Sequence, residues 1–313
     1  MLIIGGTGFF GNSILSYFSN SKTLKKKFNK IIIISRKKLK KFDYLKKLKK
    51  NYKVIKIDSD LLKLKKLPSA NYVIYSAILK NYRYDYLAAK KYIKLAKIYH
   101  SNSKILYTSS GAVYGMQPSK IKQFKENYLI YNKKINFKKG YKQSYSNFKL
   151  KNEKIFQKLG NEGFNVSIAR CFAFVGEYLP LNSNFVIGNI IKNILERKNI
   201  KINANYKIYR SYMYADDLVK WLLKILDNSS PHCPIYNVGS NNKISIHQLA
   251  NILAEKYNIK IDNNKISSKK IDNYMPDINK GKKVLGLKIH NTSIEGIIKT
   301  VNILSKKNYR DPR

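Results

Sequence analysis

Tyr145 and Lys149 place a phenol and an ammonium four residues apart, on one face of any helix that carries them. A neighbouring cation stabilises a phenolate, so such a pair can take a proton from a hydroxyl and return it. Spacing alone proves little, because with 25 tyrosines and 55 lysines about four such pairs are expected by chance. Three occur: Tyr52/Lys56, Tyr86/Lys90 and Tyr145/Lys149. Position separates them. Only the third follows an apolar run ending in Thr108-Ser109-Ser110-Gly111-Ala112-Val113-Tyr114-Gly115 and starts the next long amphipathic segment.

A second chemical feature is Gly5-Gly6-Thr7-Gly8-Phe9-Phe10-Gly11, between a short apolar run and a helical pattern. Glycines there let the backbone turn sharply and approach a pyrophosphate, whose charge the helix N-terminus favours. Gly5, Gly8, Phe9, Phe10 and Gly11 are therefore candidates for holding a dinucleotide, against the alternative of a purely structural turn. A Rossmann site for NAD often carries an acid about 20 residues further on. Here Ser35 and Arg36 end the second apolar run. An arginine could pair with a 2′-phosphate, which leans the cofactor toward NADP over NAD; it could equally be one more surface cation. Asp60-Leu61, past the third run, is placed to meet the adenine amino group or to cap the next helix.

The elements that must position these groups follow from periodicity. Short β-rich runs at 2–4, 31–35, 53–57, 72–76, 104–108 and 165–169 alternate with amphipathic stretches at 10–18, 39–49, 84–100 and 143–159. That rhythm predicts an α/β fold, a doubly wound parallel sheet with its ligand crevice at the strand ends. After about residue 170 it gives way to longer loops, with helices at 185–196, 216–226, 246–257 and 294–304. Residues 1–170 read as a Rossmann-like domain, and residues 171–313 as mainly a smaller substrate-binding lobe, some segments returning to the first.

In this order the glycine loop, Ser-Ser-Gly-Ala-Val-Tyr-Gly and the Tyr-Lys pair resemble the extended short-chain dehydrogenase/reductase family, the NAD-dependent epimerases and dehydratases of nucleotide sugars. The resemblance covers nearly the whole chain. It implies that Tyr145 is the general acid or base, that Lys149 lowers its pKa and binds the nicotinamide ribose, and that Ser110 hydrogen-bonds the reacting oxygen. A hydride then passes between a sugar carbon and the nicotinamide. By the same resemblance Tyr114 lines the sugar pocket, although a core tyrosine would look the same, and Ser76-Ala77 forms a cofactor-side turn or a plain loop. Arg210 opens Arg-Ser-Tyr-Met-Tyr-Ala-Asp-Asp-Leu, similar to a family segment whose arginine contacts the substrate's diphosphate, a task suited to a guanidinium. Asp217 reads as a helix N-terminal acid, and 236–239 and 274–277 as architectural landmarks. The helices at 84–100 and 143–159 are those through which the family pairs into homodimers.

Two departures shape the choice of reaction. Ala173 stands where many members carry an asparagine on the sugar diphosphate, and Asn182 or Asn184 could substitute. Gly111 and Ala112 stand where a 4,6-dehydratase carries an acidic pair and a decarboxylase a glutamate. Dehydration and decarboxylation are therefore disfavoured, and epimerase or reductase chemistry in the making of surface polysaccharide sugars is the expectation.

Composition sets the remaining bounds. The net charge is +44, but only 7 of the 62 basic residues are arginine and the lysines are spread along the chain. That spread reads as a bias in residue usage, so nucleic-acid binding or a non-catalytic role remains the alternative. No run approaches the about 20 apolar residues of a membrane span, and no charged leader precedes the first strand, so a cytoplasmic protein is expected. Cys171 and Cys233 stand far apart and the four histidines lie outside every motif, so no metal site is expected.

Overall fold

The computed structural model describes residues 1–39, 42–79, 81–128, 141–182 and 185–307. Its first half runs β1 (Leu2–Ile4), α1 (Phe9–Asn20), α2 (Lys22–Lys27), β2 (Lys30–Ser35), α3 (Tyr44–Asn51), β3 (Lys53–Asp58), β4 (Tyr72–Tyr75), α4 (Tyr82–Tyr99), β5 (Lys104–Ser110), α5 (Tyr141–Asn161) and β6 (Val166–Cys171). Its second half runs β7 (Phe174–Val175), α6 (Val186–Leu195), β8 (Ile200–Ile202), β9 (Lys207–Arg210), β10 (Met213–Tyr214), α7 (Ala215–Asp227), β11 (Ile235–Val238), β12 (Ile244–Ser245), α8 (Ile246–Tyr257), β13 (Ile261–Asn263), β14 (Ile271–Asn273), α9 (Asn279–Leu285) and α10 (Ser293–Lys306).

Among the described residues seven strands form one parallel sheet in the order β11-β6-β5-β4-β1-β2-β3. Helices cover both faces, so the central strands are apolar throughout: Ile31 to Ile34 are all buried. The pleat divides them. Ile3, Ile33 and Ile74 face a layer holding Ile14, Phe18 and Leu222 of α1 and α7, while Leu2, Ile4 and Tyr75 face Ala89, Tyr92 and Phe156 of α4 and α5. The chain reverses direction across the sheet between β1 and β4, which opens a crevice at their C-terminal ends.

The alternating runs were legible; their ends were set by caps. Asn81 accepts from the N–H groups of Arg83 and Tyr84 and starts α4 at Tyr82, earlier than the apolar pattern does. α2, Lys-Thr-Leu-Lys-Lys-Lys, has no apolar period and rests on its Ser21 cap. In the second half α6, α8 and α10 enclose a separate core with short strand pairs. α7 and β11 instead pack on the large sheet, β11 in register with β6 from Ile235 against Ile168 to Val238 against Cys171. No helix among the described residues is long and apolar enough to cross a membrane.

Candidate active site

The crevice between β1 and β4 is lined by Gly5, Gly8, Arg36, Asp60, Leu61, Ser76 and Ala77, around a cavity of about 230 Å³. A second space of about 390 Å³ adjoins it, bounded by Arg36, Asp60, Leu79, Asn81 and Tyr84. The first loop is fitted to an anionic ligand. Gly5 has a φ of +88°, and a Cβ there would lie 2.6 Å from the Ala77 backbone. A Cβ on Gly11 would lie 2.3 Å from Gly6. The protein's own packing therefore requires both glycines. It does not require the exposed Gly8, whose Cβ would meet only the Gly5 carbonyl, at 3.6 Å. Gly8 is also the N-cap of α1, with no side-chain cap and no acid in the first turn, so the opening N–H groups and the helix dipole face the crevice uncompensated. Phe9 and Phe10 stand outside that lining, and Phe10 packs edge-on against Phe174.

The far end of the crevice mixes cofactor and structural roles. The Ser35 hydroxyl is 2.5 Å from that of Thr7. Arg36 is 53% exposed and 3.7 Å from Asp60, whose carboxylate also accepts from the Leu62 N–H at the start of a short 3-10 turn. Asp60 thus does what a capping residue does, on the wall of the cavity. The Ser76 hydroxyl donates to the Ile4 carbonyl at 3.0 Å and holds β4 to β1.

Across the sheet, β5 ends at Ser109 and Ser110, and α5 packs against β5 and the 3-10 turn Gly111–Tyr114. Tyr145 is half-buried on α5, its ring 5.6 Å from that of Tyr82. One turn on, Lys149 is 5% exposed; its Nζ donates to the Thr108 carbonyl at 3.1 Å and lies 5.0 Å above the Tyr107 ring. Burial works against the ammonium, but the Tyr107 phenol and the Asp85 carboxylate outweigh it and hold the Lys149 pKa above its ordinary value.

The unexpected member is Tyr274, read from sequence as architectural. Its phenol lies over the Gly111 backbone, so that a Cβ on Gly111 would come within 2.7 Å of its oxygen. Its ring packs on Phe172 at 4.8 Å. Burial raises its pKa and the Tyr145 phenol adds to the rise, while the Ser110 hydroxyl and the Arg210 guanidinium partly offset it. Ser110, Tyr145, Tyr274 and Arg210 therefore share one electrostatic neighbourhood. Tyr274 lies in a loop far along the chain, in a segment whose sequence marked it as a landmark but gave it no place at the site.

Beneath this cluster, Arg170 of β6 pairs with Glu153 of α5 at 2.8 Å and reaches the Tyr114 hydroxyl at 2.9 Å. The Ser109 hydroxyl donates to Glu153 at 2.6 Å, and the Tyr114 phenol donates to Asn237 at 2.7 Å. Tyr114 is 1% exposed. The expectation that it lines the sugar pocket is corrected: its stacking on Phe124 and its two polar partners place it in the core. The spacing of Tyr145, Lys149 and Glu153 at successive turns of four was the signal for Glu153.

Arg210 is 24% exposed and held by the Asp272 carboxylate at 3.2 Å and the Asp272 carbonyl at 3.0 Å. Asn182 accepts from Lys192 at 2.7 Å. Asn184 lies outside the described residues. Asp217 accepts from His290 and Asn291 and ties the start of α7 to the loop before α10. Among the described residues no group of three or more His, Cys, Asp or Glu side chains is placed to hold a metal ion.

A parallel sheet in this order, with a glycine loop at its switch point, defines a Rossmann-like dinucleotide-binding class. The chain belongs to the NAD dependent epimerase/dehydratase family, whose model matches residues 1–239. It is 28% identical to UDP-glucuronic acid decarboxylase 1 of Xenopus tropicalis over 148 residues, 47% of this chain and 35% of that protein. The match thus spans about a third of that relative. Solved structures of the same fold include dTDP-glucose 4,6-dehydratase from Bacillus anthracis with NAD (TM-score 0.76, 17% identity, 97% of this chain and 96% of that one). UDP-glucose 4-epimerase of Thermotoga maritima with UDP-glucose superposes at 0.74, with 16% identity over 98% and 99% of the two chains. The fold therefore serves several reactions.

Proposed function

We propose that this protein is an NAD(P)-dependent enzyme acting on a nucleotide-diphosphate sugar, as an epimerase or reductase at one sugar carbon. What supports the reading is that Ser110 and Tyr145 both act on the Tyr274 phenol, with the buried Lys149 one turn along α5 and bonded to the Thr108 carbonyl of β5, beside a glycine-lined crevice with an uncapped helix N-terminus. When bound, the nicotinamide supplies a hydride acceptor and donor. Tyr145 takes the proton of the sugar hydroxyl as that carbon is oxidised, and returns it on reduction. Lys149, charged and buried one turn away, stabilises the phenolate, and Ser110 hydrogen-bonds the reacting oxygen.

The choice against dehydration and decarboxylation rests on residues rather than fold. An acidic side chain at Gly111 would collide with the Tyr274 phenol and the Phe172 ring, each within 2.8 Å of a Cβ there. Gly5, Gly8, Phe9, Phe10 and Gly11 would hold the pyrophosphate, Ser76 and Ala77 the nicotinamide side, and Asp60 and Leu61 the adenine. Arg36, half-exposed where NAD sites often carry an acid, favours NADP. Arg210 would exchange Asp272 for the substrate's diphosphate. The activated sugars of surface polysaccharides, made in the cytoplasm, are the substrates that fit this reading.

The test is calorimetric titration with NAD(H) and NADP(H), then a panel of UDP-, dTDP-, GDP- and CDP-sugars followed by mass spectrometry and NMR. A cofactor binds, NADP more tightly, and a sugar is converted at least about 100-fold more slowly by Tyr145→Phe, while cofactor affinity changes little. If neither cofactor binds while RNA does at physiological salt, the enzyme reading is wrong and the +44 charge marks a nucleic-acid surface.

A further inference from the structure

Asp85, in the first turn of α4, is 2% exposed. A carboxylate withdrawn from water needs compensation from hydrogen bonds and charge. Its Oδ1 accepts from the Leu79 N–H at 2.9 Å and its Oδ2 from the Asn152 amide at 3.1 Å. Neither donor is charged. Asn152 follows Lys149 by three residues on α5, so it brings the carboxylate to the face that carries the lysine.

Lys149 presents the converse problem. Its ammonium is buried, and its hydrogen-bond acceptor is a neutral carbonyl, that of Thr108. Such a group releases its proton unless a negative charge lies close. Around it β5 contributes Tyr107 and Thr108, β6 contributes Cys171, α4 contributes Asp85, and α5 itself carries Tyr145 one turn away. Burial pushes the Cys171 thiol up to about 12 and the Tyr107 phenol further, so both are neutral at physiological pH. Asp85 is faced by Lys149, Leu79 and Asn152, and by the phenols of Tyr75 and Tyr107. Burial raises the Asp85 pKa, and the lysine with the two hydrogen bonds offsets only part of that rise.

We propose that Asp85 is the counter-charge of Lys149, a positioning residue that keeps the buried ammonium protonated and links it, through Leu79, to the loop lining the dinucleotide crevice. Leu79 belongs to that lining together with Ser76 and Ala77. Movement of the loop on cofactor binding would therefore be felt at the lysine. The part Asp85 plays in turnover rests on the proposed roles of Tyr145 and Lys149; the charge interaction across Asn152 does not.

The test is therefore made on the pair directly. Lysine side chains labelled with 15N and 13C are titrated by NMR in the full-length protein, and the Lys149 signal is identified by its loss in Lys149→Met. Asp85→Asn is sterically mild, because the buried Asn152 Oδ1 lacks a partner and rotation of that amide lets it accept from the new one. The Lys149 midpoint is expected to fall by about one pH unit or more in Asp85→Asn and to recover in Asp85→Glu. An unchanged midpoint overturns the proposal. Should Asp85→Asn not fold, the Asp85 carboxyl is titrated in wild type and Lys149→Met: a higher midpoint in the variant is expected, and equal midpoints overturn the idea. With a substrate in hand, Asp85→Asn should move both limbs of the pH–rate profile to lower pH, whereas a merely structural loss lowers the rate evenly. A shifted Lys149 midpoint alongside an inactive wild type would uphold the pair and refute the proposed function.

Discussion

At the scale of single residues, the glycines of the first loop separate a folding requirement from a ligand requirement. Gly11 lies against the Gly6 backbone, where a Cβ would sit at 2.3 Å, whereas Gly8 borders open space at the helix N-terminus. Gly11→Ala should therefore cost about 1–3 kcal/mol of stability in chemical denaturation. Gly8→Ala should cost less than about 0.5 kcal/mol, yet weaken dinucleotide binding about tenfold in calorimetry. Equal stability losses at the two positions would refute the distinction. Tyr274 makes a related point about Gly111. The phenol fills the space that a side chain at 111 would take, so a larger residue there and the Tyr274 hydroxyl exclude each other.

At the scale of elements, α4 and α5 lie against each other and bring the polar groups beneath the site together. α4 ends at His100, which is 1% exposed, with Nε2 3.0 Å from the Pro68 carbonyl. Burial lowers its pKa below the ordinary imidazole value of about 6.5, although the Pro68 carbonyl acts in the opposite sense. The neutral ring is thus favoured in the folded state. The unfolded chain takes up a proton near pH 6.5, so stability is full above that pH and falls as the pH drops through it toward the lower folded-state pKa. Denaturant titrations at neutral pH and at about pH 5 should show a loss in wild type that is smaller in His100→Gln, whatever that variant's starting stability. An identical pH dependence would mean that the ring binds its proton equally well in the folded and unfolded chain.

For the whole molecule, two surface properties bear on assembly. α4 exposes Leu87 and Tyr84 near its start and Ile98 and Tyr99 near its end, with Ile98 67% exposed. Apolar groups along one helix suit a partner surface, and a homodimer through α4 and α5 is the expected state. Light scattering at micromolar concentration should report twice the 36.4 kDa chain mass, and Leu87→Glu with Ile98→Lys should report a monomer. A monomeric wild type would overturn that expectation. The net charge of +44 argues against close self-association at low salt, so the dimer should strengthen as salt is added.

The doubly wound sheet was legible in local patterns, and the glycine loop and the Tyr145/Lys149 pair stood out in the same way, because each such pattern lies within a few residues. Period two and period 3.6 tell which face of an element is apolar, and caps such as Asn81 move only its ends. Which elements become neighbours is settled by long-range packing. Ile235 to Val238 looks like any short apolar run, yet it completes the large sheet beside β6. Tyr274 meets Ser110 and Gly111 because a long loop closes onto the end of β5, and Asp85 meets Asn152 because α4 packs on α5. Tyr114 shows the same limit in reverse: its motif suggested a pocket wall, and the Arg170, Asn237 and Phe124 contacts that bury it come from three distant segments. Those contacts depend on how apolar area and buried charge are compensated across the whole molecule, a property that no single stretch of residues carries.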